Sequence, residues 1–242
     1  MTQVAHRPAF YATGRGTGGV RDWLTLLHPP YTAWHLSYVA IGAALAPQFA
    51  VWRMGGAVLA FFLAVGVGAH AADELHGHPL RTGIADRTLA AVGAVAVAAA
   101  VAMGLAYAGW RMVPFALVGA LLVAGYNFEL FGGLLHNQLG FSVAWGAFPV
   151  LTGYYAQGFT LGAPAFLAAA AATGLSCAQR SLSTPARGIR RRTRAVEGRV
   201  VADDGSSRPL DEATILAPLE QALQAMAWAV AALAAALVLM RL

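Results

Sequence analysis

The stretch HAADELHGHPLRTG, residues 70–83, closes a long apolar run and gathers three histidines and two carboxylates between His70 and His78. A Pro-Leu-Arg-Thr-Gly turn follows at once. Ionisable groups at the end of a membrane-length helix are costly to place there. They therefore call for partners elsewhere in the chain. If the helix continues to Glu74, then His70, Asp73 and Glu74 lie at i, i+3 and i+4 and share one face. His76 and His78 follow where Gly77 and Pro79 break the helix. Imidazole with carboxylate suits Zn, Fe and Mn, whereas carboxylate alone suits Mg. The plainer reading is a solvated helix end in the headgroup layer, and the two stand even.

Outward from this stretch the chain is almost all membrane. Of 242 residues, 58% are hydrophobic and 11% charged, where a soluble domain carries roughly 25% charge. Seven spans are expected, at about 31–50, 54–72, 88–109, 112–130, 138–157, 160–178 and 213–240, each near the roughly 20 apolar residues that cross a bilayer. The first is the weakest, since it holds His35 and Pro47. Alanine and glycine fill most spans, and small residues let helices approach closely in lipid. The fold class expected is an all-α, polytopic transmembrane bundle. Residues 1–30 would be a tail with an interfacial helix over 22–30, and residues 31–242 one bundle domain with a basic cytoplasmic loop at 179–212.

All 16 basic residues are arginine. With the N-terminus inside, thirteen fall on the cytoplasmic side, Arg7 and Arg15 among them. Arg53, Arg111 and Arg241 fall outside. The positive-inside rule then places the C-terminus outside, in what would be a bacterial inner membrane. The basic balance is accounted for by topology, and no nucleic-acid partner is expected. No cleavable signal is legible in the polar first twenty residues. With Cys177 alone, no intrachain disulfide can form.

Two further clusters would face the same side as His70–Gly83. In YNFELFGGLLHNQLG, residues 126–140, Glu129 and His136 are seven apart, but Gly132–Gly133 is expected to break the helix between them. Tyr126, Asn127 and Asn137 add hydrogen-bonding groups. Glu129, flanked by Phe128 and Leu130, needs a partner. The loop after the sixth span carries eight arginines. Arginine's planar fork binds phosphate oxygens in pairs. Topology and anionic lipid explain Arg190–Arg194 without a substrate. Arg180, with Ser181, Ser183 and Thr184, is the better anion candidate.

Four pieces resemble the UbiA superfamily of intramembrane prenyltransferases: HPPYTAWHLSYVAIGAALA at 28–46, HAADELHGHPLRTG at 70–83, YNFELFGGLLHNQLGFSVAWGAFPVLTGYYA at 126–156, and the position of the loop after the sixth span. The resemblance covers about residues 20–200. It implies a UbiA-like bundle and prenyl transfer from a prenyl diphosphate at the cytoplasmic mouth. Asp73 and Glu74 would hold Mg, and Arg180 or Arg187 would grip the diphosphate beside Asn127, His78 and Arg81. Tyr126 or Tyr38 would shield a carbocation, and Glu129 would join the catalytic set. The departures are specific. The first acidic motif is reduced to Asp73 and Glu74, with His70 and His76 added. The second acidic motif is absent from CAQRSLSTPARG, and seven spans replace nine. Two other readings therefore stay open. His70, Glu74, Glu129 and His136 could form an Fe, Mn or Zn site of a membrane oxidoreductase acting on a lipid or quinone-like molecule, with Asp73 and His76 as further candidate metal ligands. Or the scaffold could bind lipid, or serve in assembly, without catalysis.

Overall fold

The computed structural model describes residues 9–14 and 16–242, the side chain of Phe131 apart. Arg7 and Arg15 of the tail lie outside the described residues. A short helix α1 (Val20–Leu26) leads into α2 (Pro29–Leu45). Then come α3 (Val51–Leu75), α4 (Asp86–Ala108) and α5 (Val113–Asn127). A single-turn helix α6 (Leu130–Gly133) is followed by α7 over 138–158, α8 (Ala163–Arg192) and α9 (Glu212–Leu239). A two-stranded antiparallel hairpin, β1 (Arg199–Val201) and β2 (Ser207–Pro209), precedes α9. It turns at Asp203–Asp204–Gly205, where Gly205 takes φ +81°.

Three helical segments among the described residues are long and apolar enough to cross a membrane by length and composition: Val51–Leu75, Asp86–Asn127 and Glu212–Leu239. The second covers both α4 and α5. It turns back at Gly109 (φ +56°) through a 3-10 turn, Gly109–Met112. The protein is thus a helical bundle with the marks of a membrane protein.

The helix that looked weakest in sequence sits at the centre. α2 has 17 residues, ten of them buried. It packs on α7 and α9 on one side, where Trp34, Tyr38, Ile41, Val150, Val230 and Ala234 form one core. On the other, Val39 joins Phe61, Val65, Val123 and Trp145. Its polar residues are satisfied internally, which removes the cost of burying them. The indole N–H of Trp34 donates to the Tyr38 hydroxyl at 2.6 Å. Ser37 donates to the Ala33 carbonyl, and His35 Nδ1 lies 2.9 Å from the Trp145 carbonyl. α2 ends at Leu45, ahead of Pro47, rather than reaching residue 50.

Two glycines let α2 and α7 touch backbone to backbone. A Cβ on Gly42 would strike the Val150 carbonyl, and one on Gly153 would strike the Val39 carbonyl. Rigid backbone atoms cannot step aside. Gly42→Ala is expected to destabilise the bundle by about 2–3 kcal/mol through overpacking. The readout is the midpoint of thermal aggregation in detergent. An unchanged midpoint would mean the two helices can separate without loss.

The boundary expected after the sixth span is wrong. Instead of a loop from residue 179, α8 runs on as helix to Arg192, through Pro185. Arginine is a good helix former. The extension is also tied down: Arg190 is 5% exposed and forms an ion pair with Glu220 of α9. Arg190 is therefore a packing residue and not a solvated topology charge.

Candidate functional site

The two adjacent acids of residues 70–83 have different fates. Glu74 has no solvent exposure. Its carboxylate accepts hydrogen bonds from the backbone N–H of Leu80 at 2.9 Å and of Thr82 at 2.8 Å, and from the Thr82 hydroxyl at 2.8 Å. It clamps the turn that closes α3. In that turn His78 and Arg81 both take positive φ, 49° and 53°, a region that non-glycine residues enter rarely. The clamp holds them there. Asp73, one residue earlier, makes no hydrogen bond or ion pair among the described residues. Its charged neighbours are Arg187, Arg191, Glu74 and His136.

The turn residues named from sequence do not join Asp73. His76 and Arg81 are exposed. His78 is 43% exposed and lies 3.5 Å from Asp86 and 3.9 Å from Glu74. They hold the outside of the turn because Gly77 (φ +93°) throws the chain away from the helix axis.

Two arginines of α8, Arg187 and Arg191, are electrostatically coupled to Asp73. On a continuous helix Arg180, Arg187 and Arg191, at i, i+7 and i+11, fall on one face. Arg180 donates to the Tyr126 hydroxyl at the end of α5. Its guanidinium also lies 5.4 Å over the ring of Phe141. Arg187 and Arg191 are charged neighbours of Asp73 and of Tyr11. At the mouth, Arg180 thus ties α8 to the end of α5, and Arg187 and Arg191 are electrostatically coupled to Asp73 at the end of α3. Sequence reasoning had accounted for Arg191 by topology or anionic lipid. The helical extension of α8 turns it inward.

The 126–140 cluster forms one wall of this mouth. The Tyr126 and His136 rings stack at 4.6 Å. His136 Nδ1 is 3.7 Å from Glu129. Both are on the surface, with side chains 39% and 53% exposed. Gly132 and Gly133 take φ +66° and +78° and break the helix between them as expected. Asn127 is buried, and its amide donates to the Val123 carbonyl of its own helix.

A second wall comes from residues with no metal-site spacing in sequence. His28 takes left-handed φ of 46° at the start of α2, and its ring packs 4.3 Å from that of His70. Each places Nδ1 on a backbone carbonyl, Leu26 for His28 and Gly66 for His70. Tyr11 covers His28 at 5.0 Å and Tyr31 at 5.5 Å. Burial, with smaller contributions from His70, Arg191 and Arg187, holds the His28 imidazole well below its usual value. His28 is thus neutral when folded and titrates near 6.5 when unfolded. Below that value the unfolded chain binds the extra proton, so stability falls with falling pH. Denaturation midpoints are expected to drop between about pH 7 and 5 in the native chain, and less in His28→Gln. An equal drop in both would overturn this.

Asp22, absent from every sequence-based candidate set, is the other buried acid. It is 1% exposed and accepts from Gly16 N at 3.1 Å, Gly18 N at 2.6 Å and Gly83 N at 3.1 Å. The only signal was a lone acid following the glycines of TGRGTGG.

Inward from the mouth lies an apolar cavity of about 370 Å³ between α3, α4, α5 and α7. It is lined from Trp52, Arg53 and Tyr107 at one end to Val65, Val123 and Trp145 at the other. Trp52 to Val65 is about 20 Å of helix. The Tyr126 ring stands edge-on to Trp145 at 5.8 Å, so the layer under Arg180 is also the inner end of the cavity. Two π-helical segments, Phe62–Ala69 and Val143–Ala147, bracket this junction. Such segments are frequent at functional sites.

Among the described residues no three His, Cys, Asp or Glu side chains group closely enough to hold a metal ion. Glu74 is engaged in its turn, His76 is exposed, and Glu129 with His136 stands at the rim. No protein-family model, curated protein or solved structure matches the chain.

Proposed function

We propose that this protein is a divergent UbiA-like integral membrane enzyme that takes an isoprenoid or similar lipid with a diphosphate head and transfers its prenyl chain. The observation that carries the reading is Arg180 bound to the Tyr126 hydroxyl, with the Tyr126 ring edge-on to Trp145 at the end of an apolar cavity. An excess of guanidinium suits a polyanionic head. The slender cavity suits one aliphatic chain. The quoted resemblance at 28–46, 70–83 and 126–156 points the same way.

In this reading the carbon–oxygen bond of the prenyl diphosphate breaks and its electron pair leaves with the diphosphate. Arg180, Arg187 and Arg191 stabilise that developing charge. The allylic cation lies against the Tyr126 ring face, a new bond forms to an apolar or aromatic acceptor, and the acceptor releases a proton. Bound Mg commonly takes one or two carboxylates and completes its shell with phosphate oxygens and water. Asp73 is the carboxylate that would hold such an ion, which would supply charge neutralisation to the diphosphate. A two-ion site lacks its second carboxylate among the mouth residues, so the arginines carry more of the charge. The di-metal oxidoreductase reading loses support, because Glu74 is engaged in its turn, Glu129 and His136 stand at the surface, and His70 packs on His28.

The seven-span topology, with the N-terminus inside and the C-terminus outside, belongs to the same proposal. A reporter fused after Leu242 should then be active only outside.

The deciding experiment incubates the purified protein with geranylgeranyl diphosphate and Mg and measures both binding and diphosphate release. Binding with release supports the enzyme, and binding alone supports a lipid carrier on the same scaffold. Absence of binding overturns the proposal.

A further inference from the structure

The two ends of the cavity differ in chemistry. Val65, Val123 and Trp145 wall the inner end, and Trp52, Arg53 and Tyr107 wall the other. A hydrocarbon chain accounts for the inner end and for the length between. It does not account for Arg53, the only charged side chain lining the cavity among the described residues.

Arg53 does not behave as an interfacial arginine. Such a residue lays its stem on apolar surface and keeps its head in water. Here the protein holds the guanidinium. Nη1 donates to the backbone carbonyl of Gln157 at the end of α7, and the group lies 5.3 Å over the Trp52 ring. Its Nε is buried and has no hydrogen-bond partner among the described residues. No carboxylate among them forms an ion pair with it.

Gln157, fully buried, repeats the pattern. Its side-chain oxygen accepts from Ala50 N at 2.8 Å, which fixes which way the amide points. Its Nε2 is then left buried without an acceptor. The two orphaned donors belong to residues that are bonded to each other. The hydroxyls of the cavity are already engaged: Tyr107 donates to the Ala156 carbonyl at 2.9 Å and Thr152 to the Phe148 carbonyl at 2.8 Å. Buried donors are nearly always paired, and the strongest acceptors for a guanidinium are carboxylate and phosphate oxygens.

We propose that this end of the cavity is a second ligand site, which takes the oxyanion head of a single-chain amphiphile, a carboxylate or a phosphate monoester. Arg53 binds the head beside Gln157, and the chain runs toward Val65. This goes beyond the diphosphate reading, because the head is held at the end opposite Tyr126 and no arginine of α8 takes part. Both chains need the same apolar space, so the amphiphile competes with a prenyl chain.

The test compares palmitoleate with palmitoleyl alcohol on the full-length protein in a maltoside detergent, at about pH 9 so that the carboxylate is ionised. Palmitoleate is expected to bind the native protein roughly tenfold more tightly than Arg53→Gln, as for a lost charge-assisted contact, while the alcohol binds both alike. Gln157→Glu is nearly isosteric, keeps the acceptor for Ala50 N and puts a carboxylate oxygen in place of the orphaned nitrogen. It should cost palmitoleate as much and serves if Arg53→Gln does not fold. Gly56 lines the cavity about one turn from Arg53, and a Cβ there meets nothing within 4 Å. Gly56→Phe should therefore fill the space and lose both ligands. Equal palmitoleate affinity in the native protein and both head variants would mean that water alone satisfies the donors, and overturns the site. Arg53-dependent binding that survives Gly56→Phe would place the head at the lipid surface without the cavity, and overturns it as well. Inorganic diphosphate has no chain and reports on the mouth, so the two readings fail separately.

Discussion

Glu74→Ala is expected to destabilise the protein by about 4 kcal/mol, whereas Asp73→Asn leaves stability within about 0.5 kcal/mol of the native chain. The two acids are neighbours in sequence and would read alike in any motif. Glu74 is fully buried and accepts three hydrogen bonds from Leu80 and Thr82. A hydrogen bond to a charged group contributes about 1.5–3 kcal/mol, and a buried donor left unpaired costs about 1–3 kcal/mol. Removal also frees His78 and Arg81 from the left-handed backbone they occupy. Glu74→Gln keeps one acceptor but turns an amide N–H₂ toward a second donor, so it should lose about half as much. Asp73 has no hydrogen bond to lose among the described residues, and its substitution should act on ligand binding alone. Thermal midpoints in detergent, alongside diphosphate binding, separate the two. A Glu74→Ala protein as stable as the native one would show that the turn holds without its clamp. A destabilised Asp73→Asn would give Asp73 a structural role.

Arg187→Ala should weaken diphosphate binding roughly 10- to 100-fold, the equivalent of about 1.5–3 kcal/mol for a charge-assisted contact. Arg187 is exposed, lies on the mouth face of α8 and neighbours Asp73, so its loss removes charge without opening a cavity. Arg191→Ala should act in the same range, because the helix brings it to Asp73 and Tyr11. Arg180→Ala should cost at least as much, since it also releases the Tyr126 hydroxyl. Arg199→Ala is the control. That residue sits on the exposed hairpin and bonds Ser207, and its loss should change affinity less than twofold. Binding should also fall with rising salt, as expected for a surface-accessible cationic site. Equal, small losses for all four arginines would reduce the cluster to general attraction for anionic lipid.

Hydropathy alone located the long apolar helices. The run read as 54–72 falls within Val51–Leu75, 213–240 matches Glu212–Leu239 to one residue at each end, and 88–109 with 112–130 nearly coincide with Asp86–Asn127. These depend on local composition, which sequence records directly. The break at Gly132–Gly133 was also legible, because it follows from two residues and their immediate neighbours. Which acid would be a clamp and which would face the mouth was not legible. Asp73 and Glu74 differ by about 100° around one helix, and only the folded turn 80–82 comes within reach of Glu74. The arginines of α8 posed the same problem. Composition counts Arg190 and Arg191 as topology charges, but Glu220, thirty residues away, buries the first, and the unbroken helix carries the second inward. Asp22 and Tyr11 stood in a tail that reads as polar and glycine-rich. Their roles exist only because the tail folds back on Gly83 and His28, and contacts of that range are set by tertiary packing, not by local sequence.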